Sequence, residues 1–499
     1  MSYLLGIDLG TSSCKALLMD PSGRKISTGT AGYSIETPRP SWAEQDPAAW
    51  WSAVQCSVRC ALKEGGVAPQ DVAAIGLSGQ MHGIVLLDER LRVLRPAIIW
   101  ADGRSAAECG EMEQALGGPL LRDVACNKPS TGFSASKVLW VKEHEPRTFE
   151  QVRYILFPKD FVRLQMTGNI QSEPSDASGS LLFDVPHRRW SCEILASIGV
   201  DPGLLPEIVE STCVVGGLTQ DAADALGLRL GTPVVAGAGD QAAAAVGNGL
   251  ADGCETMVAI GTGGQIITCI SSPVRDEHLR VHTLCHALPG KWYIMGAIQS
   301  AGLALDWFRK ASGSTLSFGE LCSEASTVGP GAQGLMFLPH LTGERSPYMD
   351  PMSRGAFVGL TLQHGRAHLV RAVLEGVTFA LRQSLEIMQE IGIATREVIA
   401  SASGGTNDTW RSILGDVLKV PTRVNGLEPA SAYGAAFLAG LGVGYYSSFD
   451  DVRSIVRPKR SPRLLPDPAN FEVYDRCFDL FCRLYPALYD VNRGLSRLT

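Results

Sequence analysis

A strand–turn–strand pattern with a Gly-Thr tip occurs twice in this chain of 499 residues, once near the start of each half. The first copy comprises strand Tyr3–Leu9, tip Gly10–Ser13 and returning strand Lys15–Met19, and the second comprises strand Glu255–Ile260, tip Gly261–Gly264 and returning strand Gln265–Ile270. A supersecondary unit repeated at this distance predicts a duplicated domain, although two short matches alone could arise by chance.

Strand and helix patterns alternate along the rest of the chain, which is typical of layered α/β domains. The predicted strands are Lys25–Gly32, Val72–Leu77, Pro233–Gly239 and Val398–Ala400, and the predicted helices are Ala48–Leu62, Gln241–Val246, Leu369–Ile391 and one capped near Asn407. A chain of this length exceeds a single core. We therefore expect two domains, residues 1–248 and 249–499, with helical elements from Tyr445 onward.

Charge and composition exclude several classes of protein. The net charge of -7 argues against a nucleic-acid partner, which would require a basic face. The first ten residues carry no basic segment, and no apolar run reaches the length of a membrane-spanning helix, so we expect a cytoplasmic protein that does not contact membranes. The thirteen cysteines include no CxxC pair, which favours reduced thiols over a disulfide framework.

One histidine and cysteine cluster deserves a test as a metal site. His278, His282, Cys285 and His286 lie close in sequence, and on a helix His282 and His286 would share a face suited to zinc. The segment reads instead as a strand before the turn Leu288–Gly290, so the required helical spacing is absent. A structural role is strongly favoured.

The two hairpin tips carry the groups that bind phosphate. Tight turns of glycine and hydroxyl residues point backbone N–H groups outward, and such turns bind phosphate oxygens. Thr11, Ser12 and Thr262 add hydroxyl donors. Either tip alone would be an ordinary hairpin turn, but two facing tips would hold a polyphosphate between the domains. Asp8 precedes the first tip, whereas Ala259 holds that place in the second, so one carboxylate is available for a single Mg²⁺.

Asp240 ends the apolar run that begins at Pro233. Open α/β sheets bind ligands at the carboxyl ends of their strands, and the glycines before Asp240 would let a substrate approach the backbone closely. The alternative is a helix N-cap, a position that favours aspartate. The spacing alone leaves the two interpretations equal.

A third glycine-containing turn, Ser403–Asn407, links a predicted strand to a predicted helix. Gly404 and Gly405 would let a flat ring lie against the backbone, and Asn407 would hydrogen-bond to it. A Gly-Gly pair is weak support, because loops use it everywhere.

Together these motifs resemble the FGGY family of carbohydrate kinases, and within it the xylulokinases, from Gly6 to about Gly440. The matching runs are Gly6–Thr11, Ser78–Gly83, Trp100–Arg104, Gly239–Asp240, Gly261–Gly263, Ser300–Gly302, Asp306–Trp307, Gly343–Pro347, Gly404–Gly405 and Tyr433–Ala436. The resemblance implies two actin-like ATPase (ribonuclease H-like) domains with a catalytic cleft between them. The two domains would close over the substrates to exclude water.

The resemblance also implies an activity and roles for particular residues. ATP would phosphorylate a hydroxyl of a ketopentose, D-xylulose first, to give D-xylulose 5-phosphate, with Mg²⁺ as cofactor. Asp240 would be the general base and Asp8 would help to hold the metal. The sugar pocket would comprise Met81, His82, Trp100, Asp102, Asp240 and Gln241. The nucleotide would meet Gly10, Thr11, Ser12, Ser13, Gly261, Thr262, Gly263, Gly302, Gly404, Gly405 and Asn407.

The sequence departs from the xylulokinase pattern after the catalytic aspartate. Xylulokinases usually have Asn there, whereas this chain has Gln241, which is one methylene longer. The run Trp100–Arg104 also resembles gluconokinase members of the family. A kinase for gluconate, ribulose or another polyol is therefore the alternative, and an actin-like ATPase that is not a kinase is a more distant one. Dimers are common among kinases that resemble this chain, so a homodimer is an open expectation.

Overall fold

The computed structural model of the chain describes residues 2–496 and residue 498. The first half contains strands β1 (Tyr3–Leu9), β2 (Ser13–Met19), β3 (Lys25–Gly32), β4 (Glu44–Gln45), β5 (Val72–Gly79), β6 (Val85–Leu87), β7 (Ala97–Ile98), β8 (Tyr154–Leu156), β9 (Gln171–Ser172), β10 (Phe183–Asp184), β11 (Arg189–Trp190), β12 (Glu207–Ile208), β13 (Val214–Gly217), β14 (Pro233–Val235) and β15 (Ala238–Gly239). Its helices are α1 (Pro47–Gly65), α2 (Ala106–Pro119), α3 (Ser134–His144), α4 (Pro146–Phe149), α5 (Pro158–Thr167), α6 (Pro174–Ala177), α7 (Cys192–Ile198), α8 (Gln220–Leu226) and α9 (Asp240–Gly247).

The second half repeats this alternation. Its strands are β16 (Glu255–Ile260), β17 (Gly264–Ile270), β18 (His282–Cys285), β19 (Trp292–Ile298), β20 (Met336–Leu338), β21 (Ala356–Val358), β22 (Glu397–Ser401) and β23 (Thr422–Val424). Its helices are α10 (Gly302–Ala311), α11 (Phe318–Ala325), α12 (Arg366–Glu390), α13 (Ala402–Thr406), α14 (Asp408–Leu418), α15 (Ala430–Gly442), α16 (Phe449–Val456) and α17 (Phe471–Ser496). None of the helices in the described part of the chain is both long and apolar enough to cross a bilayer.

Five strands of each large sheet follow the same order, while β13 and β15 extend the first sheet and β18 extends the second beside β19. In the first, strands run in the order β3-β2-β1-β5-β14, and in the second the order is β19-β17-β16-β22-β23. In both sheets the first three strands form an antiparallel meander, and the next two join parallel to the first strand. This match confirms the duplication that the paired hairpins predicted, and the repeated order is that of a ribonuclease H-like domain.

Two helices lie between the sheets, one from each half of the chain. Helix α15 belongs to the second half but packs on β1 and β5 of the first sheet. It crosses α9 at backbone contact: a methyl group on Gly434 would lie 1.8 Å from the carbonyl oxygen of Ala243. Residues of both sheets and both helices form one shared apolar core. Because α9 begins at Asp240, this crossing also fixes the position of that carboxyl group.

We predict that Gly434→Ala will destabilise the protein and reduce turnover. The added methyl group has no space beside Ala243, and overpacking of this kind costs roughly 1–3 kcal/mol or more of unfolding free energy. Chemical denaturation measures this loss. Gly319→Ala is the matched control, because nothing lies within 4 Å of that helical glycine and the change should stabilise slightly. Equal stability of the two variants would contradict the close crossing.

The structure differs from expectation at the strand that leads to Asp240. The predicted strand Pro233–Gly239 is divided into β14 and β15. At the break, Gly237 has a φ of +82°, and a methyl group there would lie 2.3 Å from the carbonyl oxygen of Leu77. Because of this kink, β15 pairs with the end of β5. The run of apolar residues did not indicate where the strand would break.

Candidate active site

Three parallel strand ends bring the two key aspartates to one edge of the first sheet. Asp8 on β1 is in register with Ser78 on β5, and Ser78 is in register with Ala238 on β15. Adjacent strands lie about 4.8 Å apart, so β1 and β15 are separated by roughly 10 Å. Asp240 follows directly after β15. The gap between the two aspartates can hold the phosphate, the metal and the hydroxyl that must meet for phosphoryl transfer.

The carboxyl group of Asp240 has a pKa well above the usual range of an aspartate. Burial raises its pKa to about 7, with a further contribution from the negative charge of Asp8, while hydrogen bonds from Gln241 act in the opposite direction. The N-cap position of α9 is taken by Gly239, and no side chain caps this helix. The N-cap interpretation of Asp240 is therefore wrong. Gln241, which replaces the usual Asn, bonds to the Asp240 carboxyl group through its side chain.

A buried polar network supports the strand before Asp240. The N–H of Gly239 donates to Ser175 Oγ at 3.0 Å, and that hydroxyl donates to Glu173 at 2.9 Å. Lys159 forms salt bridges with Glu173 and Asp160, and all three side chains are fully buried. These contacts restrict the backbone at Gly239, so the Asp240 side chain enters the cleft from a rigid base.

Asp8 combines a hydrogen bond with a carboxyl group that forms no salt bridge in the described residues. Ser78 Oγ donates to Asp8 Oδ1 at 3.0 Å. Burial raises the pKa of Asp8, and the hydrogen bond from Ser78 and the positive charge of Lys15 lower it in part. Lys15 lies directly opposite Asp8 on β2. Asp8 forms no salt bridge within the described residues, so its charge is available to a cation.

The first tip is shaped by bonds on its inner side. Gly10 N–H donates to the carbonyl oxygen of Ser13 at 3.0 Å, Tyr33 Oη donates to the carbonyl of Gly10, and Gln45 Nε2 donates to that of Thr11 at 2.7 Å. Ser12 is exposed at the point of the turn. The carbonyl groups of Gly10, Thr11 and Ser13 are thus occupied, and contact between this tip and phosphate stays a prediction.

A backbone hydrogen bond also closes the second tip. Gly261 N–H donates to the carbonyl of Gly263 at 3.0 Å, a bond that spans one residue fewer than that between Gly10 and Ser13. Thr262 is exposed at its point. Gly302, the first residue of α10, donates its N–H to the carbonyl of Gly261 at 2.7 Å. Gly302 therefore supports the tip from behind, with its own N–H already used.

The turn predicted to meet the adenosine group packs directly on the second sheet. Gly404 and Gly405 are buried in the short helix α13, and a methyl group on Gly404 would lie 2.4 Å from Cγ2 of Ile260. Asn407 caps α14 by accepting from Trp410 N–H at 3.1 Å through Oδ1. This confirms Asn407 as an N-cap and leaves its Nδ2 group for a ligand.

Met81 and His82, which the resemblance assigns to the sugar pocket, follow β5 close to the residue that precedes Asp240. A methyl group on Gly239 would lie 2.8 Å from Cγ of Met81, so the two residues are in close contact. His82 has a φ of +69°, and its Nδ1 bonds to the carbonyl oxygen of Gly179 at 2.6 Å. Burial holds the pKa of His82 well below its usual range. The ring is therefore neutral at physiological pH.

Trp100 and Asp102 take different positions at this pocket. Trp100 Nε1 donates to Thr11 Oγ1 at 2.9 Å, which joins the sugar side to the first phosphate tip. The buried Asp102 accepts from Ala43 N–H at 2.5 Å and from Arg104 Nη2 at 2.7 Å through Oδ2. Its Oδ1 accepts from Arg104 Nε at 2.9 Å. Contact between Asp102 and a sugar stays a prediction, and these bonds favour a role in positioning the Trp100 loop.

The second half of the chain places two residues near Phe133 and Trp100 that the sequence analysis did not assign to the sugar pocket. His282 Nδ1 bonds to Asn127 Oδ1 at 2.9 Å, and the ring packs against Phe133. Arg345 lies over the ring of Trp100, with Cζ 5.6 Å from its centroid. Arg345 belongs to Gly343–Pro347, one of the runs that resemble the FGGY family, and this run was the sequence feature that could have indicated its importance. His286 accepts from Leu288 N–H through Nδ1, and His282 bonds to Asn127, so these two histidines have separate partners and a structural role stays the prediction for the cluster.

Comparison with known proteins agrees with this geometry. Residues 3–247 match the N-terminal domain, and residues 256–443 the C-terminal domain, of the FGGY family of carbohydrate kinases. The chain belongs to the FGGY family. FGGY relatives include a xylulose kinase of Bacillus subtilis (strain 168), 36% identical with 99% of each chain covered. A xylulose kinase of Klebsiella pneumoniae is 40% identical, with 88% of this chain and 90% of that protein covered.

A solved structure extends the comparison to three dimensions. The crystal structure of a xyloylose kinase from Brucella ovis superposes with a TM-score of 0.90 at 36% identity, covering 98% of this chain and 100% of that one. The FGGY assignment thus rests on both sequence and fold. It confirms a two-domain, actin-like ATPase fold and a phosphotransferase that acts on an alcohol group.

Proposed function

We propose that this kinase transfers the γ-phosphate of ATP to the C5 hydroxyl of D-xylulose and produces D-xylulose 5-phosphate. The observation that carries the proposal is the position of Asp240, whose pKa is raised to about 7. It lies between a pocket walled by Met81 and the edge of the sheet that carries the first phosphate tip. The relatives named xylulose kinase support D-xylulose as the sugar.

Asp240 acts as the general base in this proposal. A base is most effective when its pKa lies near the working pH, and Asp240 meets that condition. Its carboxylate accepts the proton of the attacking hydroxyl while that oxygen bonds to phosphorus and ADP departs. Gln241 bonds to the same carboxyl group and orients it, and the bond between Gly239 and Ser175 fixes the backbone beneath it.

The two tips and the turn after β22 would hold ATP. Gly10, Thr11, Ser12 and Ser13 on one side face Gly261, Thr262 and Gly263 on the other, with the phosphates between them. Gly302 supports the second tip, and Gly404, Gly405 and Asn407 bind the adenosine. Phosphoryl transfer depends mainly on such positioning and on stabilising spread negative charge.

The surroundings of Asp8 fit a Mg²⁺ ion. Asp8 uses Oδ1 for Ser78 and forms no salt bridge in the described part of the chain, and it faces the same cleft as Asp240. Two carboxyl groups near each other are costly unless a cation compensates them, and Mg²⁺ prefers oxygen ligands together with several waters. The ion would neutralise phosphate charge. Asp8 would orient it through Oδ2 or a bound water.

These assignments give each of the two domains a separate role. Residues 1–248 would form the sugar-binding domain with the catalytic base, and residues 249–499 the nucleotide-binding domain with the helical C-terminal elements. Because ATP is the donor, we place the reaction in the cytoplasm. The non-kinase ATPase alternative loses its support, since both domains match carbohydrate kinases.

A panel of sugars tests the substrate. Coupled detection of ADP release with D-xylulose, D-ribulose, gluconate, xylitol and glycerol should give the highest kcat/KM for D-xylulose. Gluconate or D-ribulose as the best substrate would overturn the choice of sugar while leaving the kinase intact. ATP turnover indifferent to every sugar would overturn the kinase proposal itself.

A further inference from the structure

Arg345 extends from the second half of the chain into the sugar pocket of the first half. It follows β20 in a loop, and its guanidinium lies over the ring of Trp100. A methyl group on Gly132 would lie 3.0 Å from Nη2 of Arg345, so the guanidinium is also in close contact with the loop before α3. The two halves of the molecule therefore meet at this side chain.

The guanidinium of Arg345 has no polar partner among the described residues. Its neighbour Glu344 uses Oε1 to accept from the N–H groups of Gln299, at 2.9 Å, and Arg345, at 2.7 Å. No side-chain hydrogen bond or salt bridge satisfies the Arg345 donors in residues 2–496. The Arg345 side chain is half-buried, so its unpaired donors lie where a ligand can supply the acceptors.

Glu344 beside Arg345 is an acidic neighbour whose charge opposes the effect of burial on the pKa of Arg345, and the other groups near the guanidinium are two histidines and a lysine. The positive charge of Arg345 adds to burial in lowering the pKa of His82 and of His282. Lys137 lies nearby and is fully buried, and burial lowers its pKa to about 7. Its Nζ donates to the carbonyl oxygens of His82 and Phe133 at 3.1 Å and 3.0 Å. Lys137 also donates to the carbonyl oxygen of Gly132, so its three donors are in use. His82 and His282 donate through Nδ1–H to the oxygens of Gly179 and Asn127. Of these groups, Arg345 is therefore the one whose donors remain for the oxygens of a ligand.

We propose that Arg345 binds the end of the sugar remote from the phosphorylated hydroxyl. This inference rests on the proposed function. Gly239, which precedes Asp240, contacts Met81, and His82 follows Met81 in the chain. The charge of Arg345 acts on His82, so the guanidinium is near the His82 end of this series. A ketopentose whose C5 hydroxyl meets Asp240 places its C1 hydroxyl and C2 carbonyl oxygens at the far end. Two adjacent acceptors match the two-pronged donor geometry of a guanidinium.

Arg345→Met tests the assignment. Hydrogen bonds to a charged group contribute enough binding free energy that their loss should raise the KM for D-xylulose roughly 10- to 150-fold. The KM for ATP should change little, and kcat less than the sugar KM, because the contact exists both before and during the reaction. With 1-deoxy-D-xylulose, which lacks one of the two oxygens, the variant should lose less than it does with D-xylulose.

Thermal stability separates a binding role from a structural one. Methionine fills a similar volume without a charge, so the ligand-free Arg345→Met protein should melt at the wild-type temperature or above it. Arg188→Met is the matched control. Arg188 also joins the two halves, donating to Glu210 at 2.8 Å and to the Lys291 carbonyl at 3.0 Å, so its loss should lower the melting temperature without changing the sugar KM.

Two results would overturn the inference. One is an unchanged sugar KM in Arg345→Met, and the other is a fall in melting temperature like that of Arg188→Met with both KM values altered. If the proposed function is wrong, the result differs from these two, because the wild-type enzyme would then prefer another sugar of the panel. The same variant is in that case measured with the preferred sugar, whose remote oxygens Arg345 must still bind.

Discussion

Asp240→Asn should reduce kcat by roughly 10²- to 10⁴-fold, the usual loss when a general base is removed. Asn keeps the shape of the side chain, but a carboxamide does not accept the proton of the sugar hydroxyl. ATP and D-xylulose should still bind with nearly unchanged affinity, because the tips, Met81 and His82 remain in place. Single-turnover kinetics and calorimetric titration of each ligand separate these effects. Near-wild-type turnover would remove Asp240 from the role of base.

The pH dependence gives a second measure of the same group. Asp240 must be ionised to accept a proton, so kcat/KM should rise with pH along an acid limb at or below about 7. Mg²⁺ beside Asp8 would shift that limb to lower pH, because it opposes the Asp8 charge that helps to raise the pKa of Asp240. Asp240→Asn should lack this limb in its residual activity.

The free energy of unfolding should also depend on the ionisation of Asp240, but ionisation, which catalysis requires, should lower it. An aspartate has an unfolded pKa of about 3.9, and folding raises that of Asp240 to about 7, so the folded state binds the extra proton. The free energy of unfolding therefore falls as pH rises between these values. The Asp240→Asn variant has no carboxyl group at this position, so its free energy of unfolding should not fall in this way. It should melt above the wild type at alkaline pH, and the difference should shrink on acidification towards about pH 4.

Local patterns explain how much of the fold the sequence predicted. The bounds of β1, β3 and β16 agree with the predicted strands residue for residue, because short buried strands and glycine tips are specified by their own residues. Helix α12 likewise agrees with its prediction within a few residues. Sheet order required pairing over long distances, and only the repeated hairpin indicated it.

The sugar pocket could not be predicted in full, for a spatial reason. Arg345 lies more than 200 residues after Trp100 in the chain but stacks on its ring. No spacing rule links them, since the contact depends on how two separately folded sheets meet. The bond from Trp100 to Thr11, which connects the sugar side with the phosphate tip, was hidden in the same way. Matching motifs indicated the segments, and only the packing showed which side chains face each other.

Asp8→Asn should raise the Mg²⁺ concentration needed for half-maximal activity, by about 10- to 100-fold if it weakens metal affinity as loss of an outer-shell partner does. The amide keeps an oxygen for Ser78 but loses the charge that would attract the cation. Activity measured against Mg²⁺ at saturating ATP and D-xylulose gives this value. At saturating Mg²⁺ the acid limb should move to lower pH, because the Asp8 charge no longer raises the pKa of Asp240.

Ser78→Ala is the matched control for this aspartate. It removes the hydrogen bond to Asp8 Oδ1 but leaves the negative charge, so it should raise the Mg²⁺ requirement far less than Asp8→Asn. Since the bond from Ser78 lowers the pKa of Asp8, its loss should favour the protonated carboxyl and weaken Mg²⁺ binding chiefly at acid pH. An unchanged Mg²⁺ requirement in Asp8→Asn would contradict the metal assignment. Equal effects of the two substitutions would place the importance of Asp8 in its hydrogen bond rather than in its charge.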